Sequence, residues 1–310
     1  MKKIVVITLV CSVLLANFLF LSASAQPALP TIYIRQDGTV DPPTDSIQRD
    51  GDTYTFTGDV YARISVQRAN IVIDGAGYTL RGAYNGTKTD IWIIGQGPNQ
   101  QAQTNDTLVP FVIGIDLGGD HVSGITIKNL DIKNFSIGMY IWTLNNVVTG
   151  NNVSENIIGI LLSGTENHII KNYIGKNDMG IFFGVNQPGE IPVNIEVSHN
   201  YFDHNAKHLS GCICKEYNQT EQIHTWDDGK EGNYWSDYNG TDGDNDGIGD
   251  TPYVVDVLNQ DRYPLMQNPL AWTVPLEVVI LVLVIAAIAV TAVIALRKRR
   301  KTSQTRLKSA

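Results

Sequence analysis

Between residues 124 and 211 the apolar positions repeat. Ile127, Val148, Ile169 and Val197 open four successive units, and Ile132, Val153, Ile174 and Phe202 follow five residues later in each. Three units continue with Ile137-Gly138-Met139, Ile158-Gly159-Ile160 and Met179-Gly180-Ile181, then Ile141, Leu162 and Phe183. The step is 21 residues and lengthens to 28 at the fourth unit, as one insertion of seven near residues 187–192 would produce. Each unit holds three short alternating runs separated by tight corners, with no helical period. Such a unit has too little sheet to bury its own apolar face. Stacked copies place each run beside its equivalent, parallel and about 4.8 Å away. The pattern predicts an all-β solenoid, a right-handed parallel β-helix, with the hand taken from the rule for parallel crossovers. Gly138, Gly159 and Gly180 are read as corners where a side chain would clash or a positive φ is needed. Asn151, Asn172 and Asn200 share one register and Asn156, Asn177 and Asn205 another, so they are expected to form hydrogen-bonded ladders.

The same reading extends back to residue 26 through less regular β runs, among them Ile32-Tyr33-Ile34-Arg35 and Ile113-Gly114-Ile115-Asp116-Leu117. Residues 92–107, polar and holding Gly95, Gly97 and Pro98, read as a loop protruding from the solenoid. After Gly211 the repeat is expected to stop, which sets the β-helix at 26–211 and a C-terminal capping block at 212–271.

Both chain ends differ in character. Lys2 and Lys3 precede an apolar run that closes on Ser22-Ala23-Ser24-Ala25, the pattern of a secretory signal peptide at 1–25. Residues 278–296 are 19 uncharged residues, enough to cross a bilayer core. With Trp272 as an interfacial aromatic, the transmembrane helix is placed at 272–296. Arg297-Lys298-Arg299-Arg300-Lys301 then opens a basic cytoplasmic tail at 297–310. The expected localisation is the cell membrane, single-pass, with the main body extracellular. Between Gln26 and Pro275 lie 14 Lys and Arg against 30 Asp and Glu, a net charge of −16 where the whole chain has −8. Such a body repels nucleic acid and favours divalent cations. Cleavage leaves only Cys212 and Cys214 of three cysteines, so disulfides do not hold the fold.

The capping block carries Trp226-Asp227-Asp228-Gly229, Asn233-Tyr234-Trp235-Ser236-Asp237-Tyr238, an Asp-rich loop and Asp261-Arg262-Tyr263-Pro264-Leu265. Together with the repeats, Ile32-Tyr33-Ile34-Arg35 and the Asn70 to Gly77 run, it resembles the NosD-like or CASH family of pectin-lyase-like β-helices. The resemblance covers residues 31–266. It implies a carbohydrate-related surface protein, of which the family has signal-bearing, single-span archaeal members, or an accessory in copper-site maturation of a nitrous oxide reductase.

Asp242, Asp244, Asp246 and Asp250 with Gly247 spell D-x-D-x-D-G-x-x-D, in which alternate carboxylates converge on one hard cation and a backbone carbonyl near Ile248 adds a ligand. Tyr253 stands where an EF-hand has its bidentate Glu, so the expected ion is a structural Ca2+; a solvated acidic turn is the plain alternative. His199, His204, His208, Cys212, Cys214 and His224 gather soft donors suited to copper or zinc, although Cys-x-Cys lacks zinc-motif spacing and corner or incidental roles explain the histidines as well. Tyr140, Trp142 and Phe182 line one outward register as candidates for stacking on sugar rings, unless the insertion or the Trp226 block covers them. Asp116, Asp131, Glu155, Asp178 and Asp203 fall in different registers, so no carboxylate pair suited to glycoside hydrolysis forms. Sequons place glycosylation candidates at Asn85, Asn105, Asn218 and Asn239; those at Asn134 and Asn152 fall within the packed coils. The function read here is a membrane-anchored extracellular module, carbohydrate-binding or structural, of the cell envelope. The alternatives are a polysaccharide-active hydrolase or lyase of this fold and the copper-maturation accessory.

Overall fold

A computed structural model of the chain describes residues 29–84, 92–94, 101–104, 107–110, 112–184, 192–211 and 224–267. The expected signal peptide, transmembrane helix and tail lie outside these residues. Among the described residues the chain is all β, and no helix is long and apolar enough to cross a membrane.

Three sheets run side by side, and the chain visits them in rotation. One contains Thr126–Lys128, Val147–Thr149, His168–Ile170 and Glu196–Ser198. The next contains Asp131–Lys133, Asn152–Ser154, Tyr173–Gly175 and Tyr201–Asp203. The third contains Ile137–Ile141, Ile158–Leu162, Met179–Phe183 and Lys207–Gly211. Equivalent strands pair in parallel, as a β-helix solenoid requires. Ile127 aligns with Val148, Ile169 and Val197, and Ile132 with Val153, Ile174 and Phe202. The repeat register and its 28-residue step are therefore the pairing register. Earlier coils extend it, with Thr31–Ile34 and Arg63–Val66 in the third sheet and Val72–Asp74 and Thr79–Arg81 in the other two. Alternation points Ile, Val, Leu and Phe inward from all three sheets into one core, where full burial of each such side chain contributes about 1.5–3 kcal/mol.

Two asparagine ladders run along the axis as expected. Asn172 Oδ1 accepts both the backbone and side-chain amides of Asn151 at 3.0 Å, and Asn200 Oδ1 does the same for Asn172. Asn156, Asn177 and Asn205 repeat the arrangement. A third, shorter ladder of Asn146 and Asn167 was not anticipated. The left-handed residues at the corners directly precede the ladder asparagines. They are Gly150, Lys171 and His199 in one file and Glu155, Lys176 and His204 in the other. Gly138, Gly159 and Gly180 do not have positive φ. A Cβ there would lie 2.5–2.6 Å from the carbonyl oxygen of the next coil, so close backbone approach is what excludes a side chain.

Two expectations are corrected. Residues 92–107 are not simply loop: Trp92–Ile94, Gln101–Thr104 and Thr107–Pro110 form a separate three-stranded antiparallel sheet. Backbone pairing needs no apolar alternation, and only two residues, Asn105 and Asp106, separate the last two strands, a hairpin-length connection. Nor does the coil path end at Gly211. Thr225 bridges Glu196, and Tyr234–Trp235 pairs in parallel with Tyr201 and Phe202. Asn233 extends the first ladder by one step, accepting from Asn200. This last turn is concealed in the sequence by an offset of 33 residues and by tryptophan at positions that hold Ile, Val or Phe elsewhere.

Candidate metal centre

The Asp-rich loop hangs on the segment around Leu265, which bridges the last coil. The Leu265 amide donates to Asn233 O at 2.9 Å, and Leu265 bridges both Tyr234 and Ile248. Met266 N donates to Gly247 O and Gly249 N to Pro264 O, at 2.9 and 2.8 Å. Asn245 and Gly247 take the left-handed conformation, with φ of 60° and 90°, and so curl the loop back on itself. Carboxylate oxygens of Asp242, Asp244 and Asp246 thereby come within 4.8 Å of one another. Among the described residues this is the one group of three or more His, Cys, Asp or Glu placed to share an ion. An all-oxygen donor set suits a hard cation such as Ca2+. Asp250 stands apart from the trio, because its Oδ2 accepts from Gly243 N at 2.9 Å and Thr241 Oγ1 at 3.1 Å. At Ile248 the backbone amide is engaged, donating to Asp246 Oδ1 at 2.8 Å. Tyr253 stacks on Trp235 at 4.2 Å, so the residue at the EF-hand's Glu position ties the loop to the core instead.

The histidines are dispersed among separate partners. His199 Nε2 lies 3.5 Å from Asp228 and 3.7 Å from Glu231. His204, exposed at its corner, pairs with Asp203. His208 continues the file of Gly180 and is buried under the last turn, 3.2 Å from Asp237 and 3.3 Å from Ser236 Oγ; burial lowers its pKa. His224 is stacked on Phe183 with neither ring nitrogen hydrogen-bonded, and burial lowers its pKa to about 4. Among described residues these groups do not converge as copper or zinc ligands would. Cys212 and Cys214 lie outside them, as do Asn85, Asn105 and Asn218. Asn239 is exposed, and so is Asn152.

In the expected sugar-stacking stripe Tyr140 is buried, while Trp142 and Phe182 are half-buried. Tyr140 is only 6% exposed and joins Ile113, Ile137, Ile157, Ile158 and Leu161 in a second apolar cluster, against which Tyr84, Trp142 and Phe182 pack. A different aromatic row, which sequence reasoning missed, stands half-buried on the outer side of the second sheet. Tyr173, Tyr201 and Tyr234 follow one another at centroid spacings of 5.4 and 4.3 Å. Tyr173 reaches across Gly175 to give its hydroxyl proton to Asp203 Oδ2 at 2.6 Å. Burial works to raise the Asp203 pKa, but hydrogen bonds from Tyr173 and His204 outweigh it and hold the pKa low. The spacing Tyr173 to Tyr201 equals the 28-residue step and was visible in the repeat; Tyr234 was not, because its coil was not recognised.

At the solenoid's end the first ladder terminates on buried Asp261. Its Oδ2 accepts from Asn233 N at 2.7 Å and Trp235 Nε1 at 2.9 Å, and its Oδ1 from Tyr263 N at 3.1 Å. Burial nevertheless raises its pKa to about 6. Asp261 and His224 therefore act oppositely between pH 4 and 6. The raised Asp261 pKa means that its contribution to stability is full below the unfolded value and lost as pH rises through about 6. The lowered His224 pKa means that its contribution is full above the unfolded value and lost as pH falls through about 4. His224→Phe keeps a ring on Phe183 and removes only the second effect. Its melting temperature relative to wild type is expected to rise steadily as pH is lowered from 6.5 to 4, within the window set by the unfolded and folded values. Calorimetry across that range checks this; a difference independent of pH would mean that His224 is not held neutral.

No protein-family model and no curated protein sequence matches the chain.

Proposed function

We propose that this protein is a calcium-braced, right-handed β-helix of the pectin-lyase type, akin to the NosD-like or CASH group, and that one C-terminal span holds it outside the cell membrane. It serves as a carbohydrate-binding or structural module of the cell envelope. The observation that carries this reading is the Asp242–Asp244–Asp246 cluster, whose loop is tied at Ile248 to Leu265, the residue that also bridges the last coil at Tyr234. An ion there braces the loop against the solenoid's end, where unpaired strand edges would otherwise meet solvent. A carbohydrate ligand is supported by the row of Tyr173, Tyr201 and Tyr234 beside Asp203, His204 and Lys176. That row supplies hydroxyl, carboxylate and cationic groups along one face. Its carboxylate is engaged by Tyr173 and His204, and Asp131 is engaged by Lys133 at 2.6 Å.

Thermal unfolding of the full chain in detergent tests the brace. At extracellular-type affinity, a few millimolar calcium stabilises the folded state by about 1–2 kcal/mol. That corresponds to a rise of roughly 2–8 °C over the value in EDTA. Asp244→Asn should abolish most of the rise. Equal melting in calcium and EDTA would refute the brace. A glycan array probed with wild type and Tyr201→Ala tests the ligand class, and product release from any bound glycan would favour an enzyme.

A further inference from the structure

The two most exposed large apolar side chains among the described residues are Val254, at 68%, and Val257, at 85%. Both sit on the hairpin formed by Tyr253–Val254 and Gln260–Asp261, at the end of the solenoid. Tyr253 stacks on Trp235 and Trp235 on Phe202, so the hairpin lies directly beyond the last turn of the core. The turn is firmly held without these valines. Asp256 Oδ1 accepts the amides of Leu258 and Asn259 at 2.7 and 2.9 Å, and Val255 N and Asp256 N donate to Asn259 O at 3.0 Å. Asp256 is the single charged residue in 251–260, in a chain that is 17% charged, and its carboxylate is turned into its own backbone. The tip is thus tied by hydrogen bonds and carries one charge, the Asp256 carboxylate between two exposed valines.

The chain's exit lies at the same end. Leu265 and Met266 are bonded to Asn233 and Gly247, and from Gln267 only five residues lead to Trp272 and 11 to Val278, where the uncharged run begins. Fully extended, these connections reach about 17 and 37 Å. We propose that the hairpin tip at 254–257 is a membrane-contact surface, with Val254 and Val257 entering the headgroup–acyl boundary of the bilayer that anchors the chain. A tethered apolar tip needs little intrinsic affinity, because the connection keeps its local concentration at the surface high. The inference rests on the single-span reading above. The body's acidity opposes an anionic surface, so the fitting lipid is zwitterionic.

The test uses the full chain in phosphatidylcholine vesicles, with the three native cysteines replaced by serine and a new one introduced by Val257→Cys, Val254→Cys or, as control, Leu144→Cys on the flank of the coils. Each carries an environment-sensitive fluorophore and is challenged with lipid-borne quenchers at the headgroup–acyl depth. Quenching several-fold stronger at 257 and 254 than at 144 is the expected result. Equal quenching at all three, in a chain that resists alkaline carbonate extraction, overturns the contact surface alone. A chain that carbonate removes overturns the span and this inference with it.

Discussion

Asn172→Asp is expected to destabilise the solenoid by about 3–5 kcal/mol, more than Asn172→Ala at about 2–3 kcal/mol, although aspartate is nearly the same shape. Asn172 is fully buried, and its Nδ2 donates to Val148 O at 2.8 Å, Ile170 O at 3.0 Å and Asn200 Oδ1 at 3.0 Å. A carboxylate oxygen at that place faces three acceptors and no donor. Alanine removes the ladder's acceptor and leaves the Asn151 amide unpaired, yet it introduces no charge. The two variants also separate by pH. Protonation restores one donor to the substituted aspartate, so the folded state binds the proton more tightly and the aspartate penalty shrinks as pH falls toward about 4. The alanine penalty has no such trend. Urea unfolding at neutral and acid pH reads both. A loss in the aspartate variant no greater than in the alanine variant, or equal at both pH values, would mean that the ladder is not what holds the corner.

The coils between 124 and 211 were legible because a solenoid writes its three-dimensional register directly into its period. A residue and its copy one step on are neighbours in space, so the offset from Ile169 to Val197 is itself a strand pairing. The asparagine ladders were legible for the same reason. The last turn was not, because its inward positions change to Trp226 and Trp235 and its spacing is stretched by intervening chain. Physically it belongs to the core; chemically it no longer resembles the repeat. The closeness of two of the histidines has a structural origin. His199 and His204 recur close together because each fills a left-handed corner that Lys171 and Lys176 fill one coil earlier. The burial of Tyr140 in the stacking stripe was not legible, because alternation specifies which side of a strand a residue faces, not whether something covers that side. The closeness of Asp242, Asp244 and Asp246 was legible, since a short motif brings its own residues together. That Asp250 caps the loop's backbone, and that Leu265 carries the loop, depend on long-range contacts that the motif does not contain.

Trp235→Ala is expected to have the other large effect and to reveal how the end of the solenoid is coupled to the loop. Trp235 is buried with Phe202 stacked on one face at 4.3 Å and Tyr253 on the other at 4.2 Å. Truncation leaves a ring-sized cavity, worth about 3–5 kcal/mol, and loses both stacks, each worth about 0.5–1.5 kcal/mol beyond area. It also removes the indole N–H that Asp261 accepts at 2.9 Å, leaving a buried carboxylate with one donor fewer. Trp235→Phe keeps an aromatic ring in the column but not the donor, and should cost about 1–3 kcal/mol. The distinguishing readout is calcium. If the loop braces the solenoid through Tyr253 and Leu265, the calcium-dependent rise in melting temperature survives in Trp235→Phe. It collapses in Trp235→Ala, where Tyr253 has lost its platform and loop order no longer reports on coil order. Hydrogen exchange then shows residues 234–265 opening separately from the coils. A calcium response of wild-type size in Trp235→Ala would show that the ion orders only its own loop, and that the aromatic column caps the core without help from the metal.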